Sequence, residues 1–202
     1  MIIVAIAGGT GSGKTTLANN LINHYNNIKT EYICLDSYYK DHSNMTLKER
    51  SKINFDHPDS IDFDLFYQQI IKYKKGNPIK IPTYSYKRHK RLKKKISVKH
   101  ADLLIIDGIL ILLKKNIRDF FDLSIFLSVG LDLRLKRRIK RDVIERSRNE
   151  NNIKERFNKM IKPMHKKYVE SYCKFADIVL GENYDLKIIK DKIDYLLDGN
   201  HK

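Results

Sequence analysis

The sequence lacks the features of several protein classes. No apolar run among its 202 residues approaches the ~20 residues of a membrane-spanning helix, and residues 1–7 lack the basic segment that opens a signal peptide. Its two cysteines, Cys34 and Cys173, form no close pair and no metal-binding spacing. No internal repeat and no linker divides the chain. We therefore expect one domain over residues 1–202, in a cytoplasmic protein with reduced thiols and no membrane partner.

The chain has fewer acidic than basic residues. The chain has 24 Asp and Glu against 40 Lys and Arg, which gives a formal net charge of +16 at pH 7. Such an excess is found in proteins that bind nucleic acid. However, the chain has no recognisable RNA- or DNA-binding module, and a general lysine bias explains much of the charge. Substrates that carry several phosphates account for the arginines better, so we expect no nucleic acid partner.

A glycine-rich stretch near the amino terminus fits the spacing Gly-x-x-x-x-Gly-Lys-Ser/Thr of a phosphate-binding loop. An apolar strand at residues 2–7 and a helix over residues 14–25 flank it, as this motif requires. Its backbone N–H groups can face phosphate oxygens, Lys14 can reach the β- and γ-phosphates, and the Thr15 hydroxyl can bind Mg²⁺. We infer that the chain binds a nucleoside triphosphate through Gly8, Gly9, Thr10, Gly11, Ser12, Gly13, Lys14, Thr15 and Thr16.

Two aspartates follow predicted strands. Asp36 ends the strand at residues 31–35, and Asp107 ends the most apolar strand, at residues 102–107. Because the carboxyl ends of parallel strands face the ligand crevice, Asp36 lies near the triphosphate if the first two strands are neighbours. A turn or helix N-cap is the alternative role for Asp36. An acid at the position of Asp107 holds Mg²⁺ directly or through water in such sites. We therefore predict Thr15, Asp36 and Asp107 as metal ligands.

Strands alternate with helices along the rest of the chain, which predicts an α/β fold with a doubly wound parallel sheet. A hairpin is predicted from strands at residues 79–86 and 95–99, joined through residues 87–94; it is either an exposed basic ribbon or a substrate cover. Tyr84 and Tyr86 stand two apart and should share one face of its first strand. The other predicted elements are a helix at 63–75 capped by Asp62 or Ser60, a strand at 124–129, helices at 131–148 and at 152–172 with a kink at Pro163, a strand at 176–180 and a helix at 185–197.

The helix at residues 131–148 is rich in arginine. Arg134, Arg138 and Arg141 recur on one face, and Arg137, Arg146 and Arg148 lie nearby. Such a run is usually a solvated helix face. Beside a triphosphate site it is instead typical of a lid whose guanidinium groups grip the transferred phosphate.

Several stretches together resemble the uridine kinase (uridine–cytidine kinase) family of P-loop kinases. They are residues 8–16, 36–41, 54–62, 81–89, 107–112, 137–148 and, more loosely, 168–179. The resemblance spans nearly the whole chain in order. It implies a P-loop kinase domain with a small β-hairpin substrate cover at about 79–99 and a helical arginine lid at about 134–150.

The resemblance also implies roles for individual residues. Asp36 would be the base that receives the 5′-hydroxyl proton, and Asp56 would hold the ribose hydroxyls with help from Arg138. Tyr84 and His89 would hydrogen-bond the pyrimidine. Tyr86 would pack against the base, and Lys14 would contact the phosphates in catalysis. A catalytic lid over the phosphates would be formed by Arg141, Arg146 and Arg148, and Arg148 would also contact the substrate.

By the same resemblance, the protein would use Mg²⁺ and transfer the γ-phosphoryl group of ATP to the 5′-hydroxyl of uridine or cytidine in pyrimidine salvage. It would also form a homo-oligomer, typically a tetramer. Three departures stand out: Asp107 where the family has Glu, Ser147 in place of Gly, and a shortened stretch at residues 181–183 near the adenine, which leaves GTP open as a donor.

Two alternative functions stay open at this stage. One is a related kinase of pantothenate or phosphoribulose, although such substrates need no aromatic base pocket. The other is a non-catalytic NTP- or RNA-binding protein, although the chain has no Asn-Lys-x-Asp motif for guanine.

Overall fold

The computed structural model describes residues 1–199, so the last three residues of the predicted domain 1–202 lie outside the described part. The strands are β1 (Ile2–Gly8), β2 (Thr30–Cys34), β3 (Ile79–Ser85), β4 (Lys90–Val98), β5 (Leu103–Asp107), β6 (Leu123–Leu127) and β7 (Ile178–Leu180). The α-helices are α1 (Lys14–His24), α2 (Leu47–Lys52), α3 (Phe63–Lys74), α4 (Lys115–Arg118), α5 (Leu131–Arg146), α6 (Glu150–Arg156), α7 (Lys162–Tyr168) and α8 (Leu186–Gly199). Within the described residues, no helix is long and apolar enough to cross a membrane.

A five-stranded sheet of order β2-β5-β1-β6-β7 forms the centre of the fold, and β3 and β4 form a separate hairpin. Every pairing in the larger sheet is parallel. The predicted α/β fold with a parallel sheet and a hairpin is therefore confirmed. The first two strands were expected to be neighbours if Asp36 was to lie near the triphosphate. They are not, because β5 lies between β1 and β2. Asp36 nevertheless reaches the same edge as the phosphate loop, since parallel strands end on one side of a sheet.

Alternate residues of β1 point into two different cores. Ile3, Ala5 and Ala7 join the cluster that includes Phe66 of α3. Ile2, Val4 and Ile6 join the opposite cluster with residues of α1 and α8, among them Leu17 and Ile193. A strand buried on both faces needs apolar residues at every position, which is why β1 reads as an unbroken apolar run.

The ends of several elements differ from prediction. The Asp62 carboxylate accepts a hydrogen bond from the Leu65 N–H at 3.1 Å, which confirms the predicted cap of α3. The predicted hairpin connection at residues 87–94 is wrong, because β4 begins at Lys90 and pairs through Thr83↔Leu92. This strand is exposed on both faces over most of its length, so it has no apolar alternation by which a sequence reading could place it.

The helical region after β6 is more broken than predicted. Helix α5 ends at Arg146 rather than residue 148, because Ser147 takes a left-handed φ of 53°. The predicted helix at 152–172 comprises α6, a π-helical turn (Phe157–Ile161), α7 and a 3₁₀ segment (Glu170–Phe175). Pro163 lies in the first turn of α7, directly after that π-turn. Since proline has no N–H to donate, the α-helical ladder is interrupted near it. Helix α2 was not predicted.

Candidate active site

A cleft of about 720 Å³ lies at the carboxyl edge of the sheet. The phosphate loop, the ends of β2 and β5, the segment at residues 55–56, the hairpin tip and α5 all contribute to its walls. The predicted site residues that line it are Thr10, Gly11, Gly13, Lys14, Thr15, Thr16, Asp36, Asp56, Tyr84, Tyr86, His89, Asp107, Arg138, Arg141, Arg146 and Arg148. Gly8, Gly9 and Ser12 are buried members of the loop that do not line the cleft.

The phosphate loop leads into α1 through Gly13, whose φ of 100° lies in the left-handed region that favours glycine. No side chain caps α1, so its first N–H groups can bind an anion. Lys14 is buried, and its Nζ donates a hydrogen bond to the Gly9 carbonyl at 3.1 Å. Burial lowers the pKa of Lys14, and the negative charges of Asp107 and Asp36 oppose that shift.

Two carboxylates lie beside this lysine. The Thr15 hydroxyl donates a hydrogen bond to Oδ2 of the buried Asp107 at 2.8 Å. The other Asp107 oxygen, Oδ1, is buried and accepts no hydrogen bond among residues 1–199. Burial and the charge of Asp107 raise the pKa of Asp36, whereas Lys14 lowers it. The three predicted metal ligands therefore lie at one end of the cleft, and all of them offer oxygen atoms.

Aromatic rings line the part of the cleft formed by the hairpin tip. The His89 ring stacks on Phe55 with centroids 5.3 Å apart, and Tyr84 lies 5.1 Å from Tyr39. The Tyr84 hydroxyl and His89 Nδ1 are buried and make no hydrogen bond within the described chain, so a ligand can satisfy both. Burial and the positive charge of Arg148 lower the pKa of His89 to about 4. Phe55 was not predicted as a site residue, although it lies within the matched stretch 54–62.

Tyr86 has more contacts than its predicted packing role requires. It lies one residue beyond the end of β3, but its ring lies 5.6 Å from the ring of Tyr84 and both residues line the cleft, so the two tyrosines face the same side as predicted. The Tyr86 hydroxyl donates a hydrogen bond to Asp36 Oδ2 at 3.1 Å. The guanidinium of Arg146 lies 4.0 Å from its ring centroid. Tyr86 thus connects the proposed base to the arginine helix.

Asp142 organises the arginines of α5 and was missed by the sequence analysis. Its side chain is fully buried and forms ion pairs with Arg141 at 2.8 Å, Arg148 at 3.3 Å, and Arg138 and Arg146 at 3.5 Å each. Burial alone would raise the pKa of Asp142, but the guanidinium groups of Arg138, Arg146 and Arg141 hold it below its usual value. The spacing offered a signal, because Asp142 stands four residues from both Arg138 and Arg146.

The alternative that the arginines of α5 form a solvated helix face is wrong for the side of α5 that faces the phosphate loop. Arg134 and Arg138 are 1% and 8% exposed. The Nη1 atom of Arg138 donates a hydrogen bond to Thr10 Oγ1 at 2.8 Å, so Arg138 contacts the phosphate loop and also acts electrostatically on Asp56. Arg156, which was also missed, lines the cleft and donates a hydrogen bond to the Ser51 carbonyl at 2.6 Å.

The comparison with known proteins agrees with these features. The model of the phosphoribulokinase / uridine kinase family matches residues 3–188. The chain belongs to this family. Uridine kinases of Streptococcus pneumoniae strains Hungary19A-6 and CGSP14 are 41% identical over 181 residues, which cover 90% of this chain and 85% of each relative.

Solved structures of related fold extend the comparison. A putative fructose transport system kinase from Silicibacter sp. TM1040 superposes with a TM-score of 0.70 at 21% identity, covering 89% of both chains. A possible uridine kinase from Bacillus stearothermophilus gives a TM-score of 0.59 at 19% identity, covering 89% of this chain and 88% of that one. At these identities the two structures support the fold alone. Membership of this family implies that the phosphate loop binds a nucleotide.

Proposed function

We propose that this protein is a uridine kinase that transfers the γ-phosphoryl group of ATP to the 5′-hydroxyl of uridine or cytidine, giving UMP or CMP in pyrimidine salvage. The observation that carries the proposal is the composition of one cleft. Asp36 interacts there with Lys14 of the phosphate loop and with Tyr86 of the hairpin, next to the aromatic end. A phosphate donor and a flat, polar acceptor can therefore meet at Asp36.

The nucleoside end offers a separate contact for each part of a pyrimidine nucleoside. Burial raises the pKa of Asp56, and the charges of Arg138 and Arg156 oppose that shift. As a carboxylate, Asp56 can accept hydrogen bonds from the two vicinal ribose hydroxyls. His89 is neutral at pH 7, and its Nε2 lies 3.4 Å from Nη2 of Arg148, so Nδ1 carries the ring proton and can donate to O4 of uracil. Accepting from the N4 amino group of cytosine needs the other tautomer, in which Nε2 no longer accepts from Arg148. Tyr84 supplies a further hydroxyl.

Phosphoryl transfer needs positioning, charge stabilisation and an acceptor for one proton. Asp36 would take the 5′-hydroxyl proton, and its raised pKa makes it a stronger base than an ordinary aspartate. Lys14 and the lid arginines Arg141, Arg146 and Arg148 would stabilise the negative charge on the phosphoryl oxygens.

The cleft also suits Mg²⁺. Mg²⁺ is commonly held by one or two carboxylates together with substrate phosphates. The Thr15 hydroxyl and the free Oδ1 of Asp107 fit that requirement, with Asp36 as the second carboxylate. Within residues 1–199, no group of three or more His, Cys, Asp or Glu could hold a metal without substrate. When bound, the ion would neutralise charge on the β- and γ-phosphates.

Three further parts of the proposal stay predictions: ATP rather than GTP as donor and a tetrameric assembly rest on the resemblance, and a cytoplasmic location rests on the composition of the sequence. Comparison of ATP with GTP in the activity assay tests the donor. Fractionation of cells tests the location, and light scattering of the purified protein tests the assembly.

A substrate panel tests the proposed function. Uridine, cytidine, 2′-deoxyuridine, adenosine, pantothenate and ribulose 5-phosphate are each incubated with enzyme, ATP and Mg²⁺, and ADP release is followed. We expect turnover of uridine and cytidine, and weaker use of 2′-deoxyuridine because Asp56 loses one partner. Lys14→Ala serves as the inactive control. Preferred turnover of pantothenate, ribulose 5-phosphate or adenosine, or salt-sensitive RNA binding without nucleoside turnover, would contradict the proposal.

A further inference from the structure

Arg134 is a buried arginine of α5 that the proposed function leaves without a role. It is 1% exposed and is the largest fully buried side chain of the described residues. Unlike Arg137, Arg138 and Arg141, it does not line the cleft. It lies instead on the far side of the phosphate loop, in contact with Gly9 and Gly11.

The loop glycines show how close this contact is. A Cβ atom at Gly9 would lie 1.5 Å from Arg134 Nη1 and 2.9 Å from His165 Cε1. One at Gly11 would lie 2.4 Å from the Arg134 carbonyl oxygen. Gly11 also needs glycine for its φ of 77°, but Gly9 has no positive φ. The guanidinium group therefore accounts for the glycine at position 9.

The surroundings of the guanidinium group are unusual for a buried cation. Among residues 1–199, no carboxylate lies within ion-pair distance of Arg134, although the charges of Glu170 and Asp56 act on it from farther away, and its Nε makes no hydrogen bond. Its Nη1 lies 3.2 Å from Nδ1 of His165. Burial and the charge of Arg134 lower the pKa of His165 to about 4, so the ring is neutral at pH 7. Since an arginine only donates, Nδ1 accepts and the ring proton is assigned to Nε2.

We propose that Arg134, oriented by His165, is a positioning residue that braces the phosphate loop from behind and holds it in its anion-binding shape. The inference rests on the proposed binding of a nucleoside triphosphate. Gly9 touches the guanidinium group, and its carbonyl accepts the hydrogen bond from Lys14 Nζ. A shift of Gly9 would therefore move the lysine that contacts the phosphates. One helical turn later, Arg138 fixes Thr10 of the same loop.

The brace has an electrostatic consequence. A buried guanidinium group without a carboxylate partner is costly for the folded state. The triphosphate brings negative charge to the opposite face of a thin glycine loop, where few intervening atoms screen it. Arg134 should therefore favour the nucleotide-bound state more than the free state, beyond its mechanical support of the loop.

Four variants and one control test the brace, with ATP affinity measured by titration calorimetry and stability by thermal melting. Arg134→Met removes the charge and nearly keeps the volume, whereas Arg134→Lys keeps the charge without the planar group. His165→Leu removes the acceptor, and His165→Asn offers Oδ1 near the position of Nδ1. Lys136→Met is the matched control, because Lys136 is an exposed cation of the same helix.

We expect Arg134→Met to weaken ATP binding at least about tenfold without lowering Tm, because an apolar side chain replaces an unpaired buried charge. Lys136→Met should bind ATP within about twofold of wild type, and His165→Asn should bind more tightly than His165→Leu. ATP affinity within twofold of wild type in Arg134→Met would overturn the brace. If that variant does not fold, unchanged affinity in His165→Leu would overturn it. A wild-type protein that binds no ATP would instead refute the proposed nucleotide binding itself.

Discussion

At the scale of single residues, the two ends of the cleft differ in how they treat charge. Beside the phosphate loop, the charges of Asp107 and Asp36 act on the pKa of Lys14, and those of Asp107 and Lys14 act on the pKa of Asp36. At the hairpin tip, His89 is kept neutral among arginines. The first arrangement suits proton acceptance next to phosphate, and the second suits recognition of a neutral base.

Asp36→Asn should nearly abolish turnover and leave ATP binding largely intact. A positioned base contributes about 10²- to 10⁴-fold to the rate, so kcat should fall by that factor. Because the pKa of Asp36 is raised, the wild-type rate should decline as pH falls through a value above the ~3.9 of an ordinary aspartate. Steady-state kinetics and a pH–rate profile measure both effects. The control is Asp41→Asn, an exposed aspartate of the same segment; near-normal kcat in Asp36→Asn would remove it from the mechanism.

His89→Phe should lower kcat/KM for both uridine and cytidine by about tenfold or more, while KM for ATP changes little. The phenyl ring keeps the stack on Phe55 but cannot hydrogen-bond either base. The matched control is His100→Phe, an exposed histidine beyond the other end of the hairpin. Normal phosphorylation of both pyrimidines by His89→Phe would show that the base is recognised elsewhere.

At the scale of elements, α5 has two different halves. Its first turns press Arg134 and Arg138 against the phosphate loop, and its last turn gathers Arg141 and Arg146 around Asp142. Ser147 ends the helix with a left-handed φ, which turns Arg148 back toward the same carboxylate. The arginines of the predicted lid thus share one buried carboxylate, that of Asp142.

Asp142→Asn should therefore separate catalysis from binding. Without their shared anion the lid arginines repel one another, so kcat should fall by about tenfold or more and Tm should drop. ATP affinity should not weaken, because the arginines lose a competing carboxylate. Kinetics, calorimetry and melting curves measure these three quantities, with the exposed Asp132→Asn on the same helix as control. Equal losses of kcat and ATP affinity would indicate a general structural role instead.

The pKa of Asp142 also fixes the sign of its pH effect on stability. Its pKa is lower in the folded protein than in the unfolded chain. Its contribution to stability should be complete above ~3.9 and be lost as pH falls through the lower folded value. Asp142→Asn should remove this part of the acid sensitivity.

At the scale of the whole molecule, the positive charge is concentrated at the hairpin. Residues 79–99 contain no Asp or Glu, and their tip lines the cleft. Their basic residues are Lys80, Lys87, Arg88, Lys90, Arg91, Lys93, Lys94, Lys95 and Lys99. A general lysine bias would be spread evenly along the chain, so it does not explain this cluster. The field it produces should attract anionic ligands toward the cleft.

The kcat/KM for ATP should consequently fall as salt rises from low to physiological concentration, because screening shortens the reach of this field to about 10 Å at 0.1 M. Uridine carries no charge and serves as the internal control: its kcat/KM should change little over the same range. Parallel titrations with NaCl at saturating co-substrate measure both. An equal response of the two substrates would mean that salt acts on the enzyme rather than on encounter with ATP.

The local order of residues was enough to predict the phosphate loop, the strands around it and the carboxylates that end them. Backbone conformation in these segments follows from nearby glycines and apolar periodicity, which are visible in a short window. The resemblance then indicated the base-binding residues of the hairpin.

Tertiary structure alone decided which side of α5 is buried and which residues that side contacts. Thr15 and Asp107 are 92 positions apart, and Thr10 and Arg138 are 128 apart, so no short window relates them. An arginine run has the same sequence whether it faces solvent, a carboxylate or the back of a loop. The pairing of Asp142 with its four sequence neighbours is local, but only the packing of α5 against the phosphate loop places Arg138 at Thr10 and Arg134 behind Gly9, because burial depends on partner surfaces supplied by distant segments.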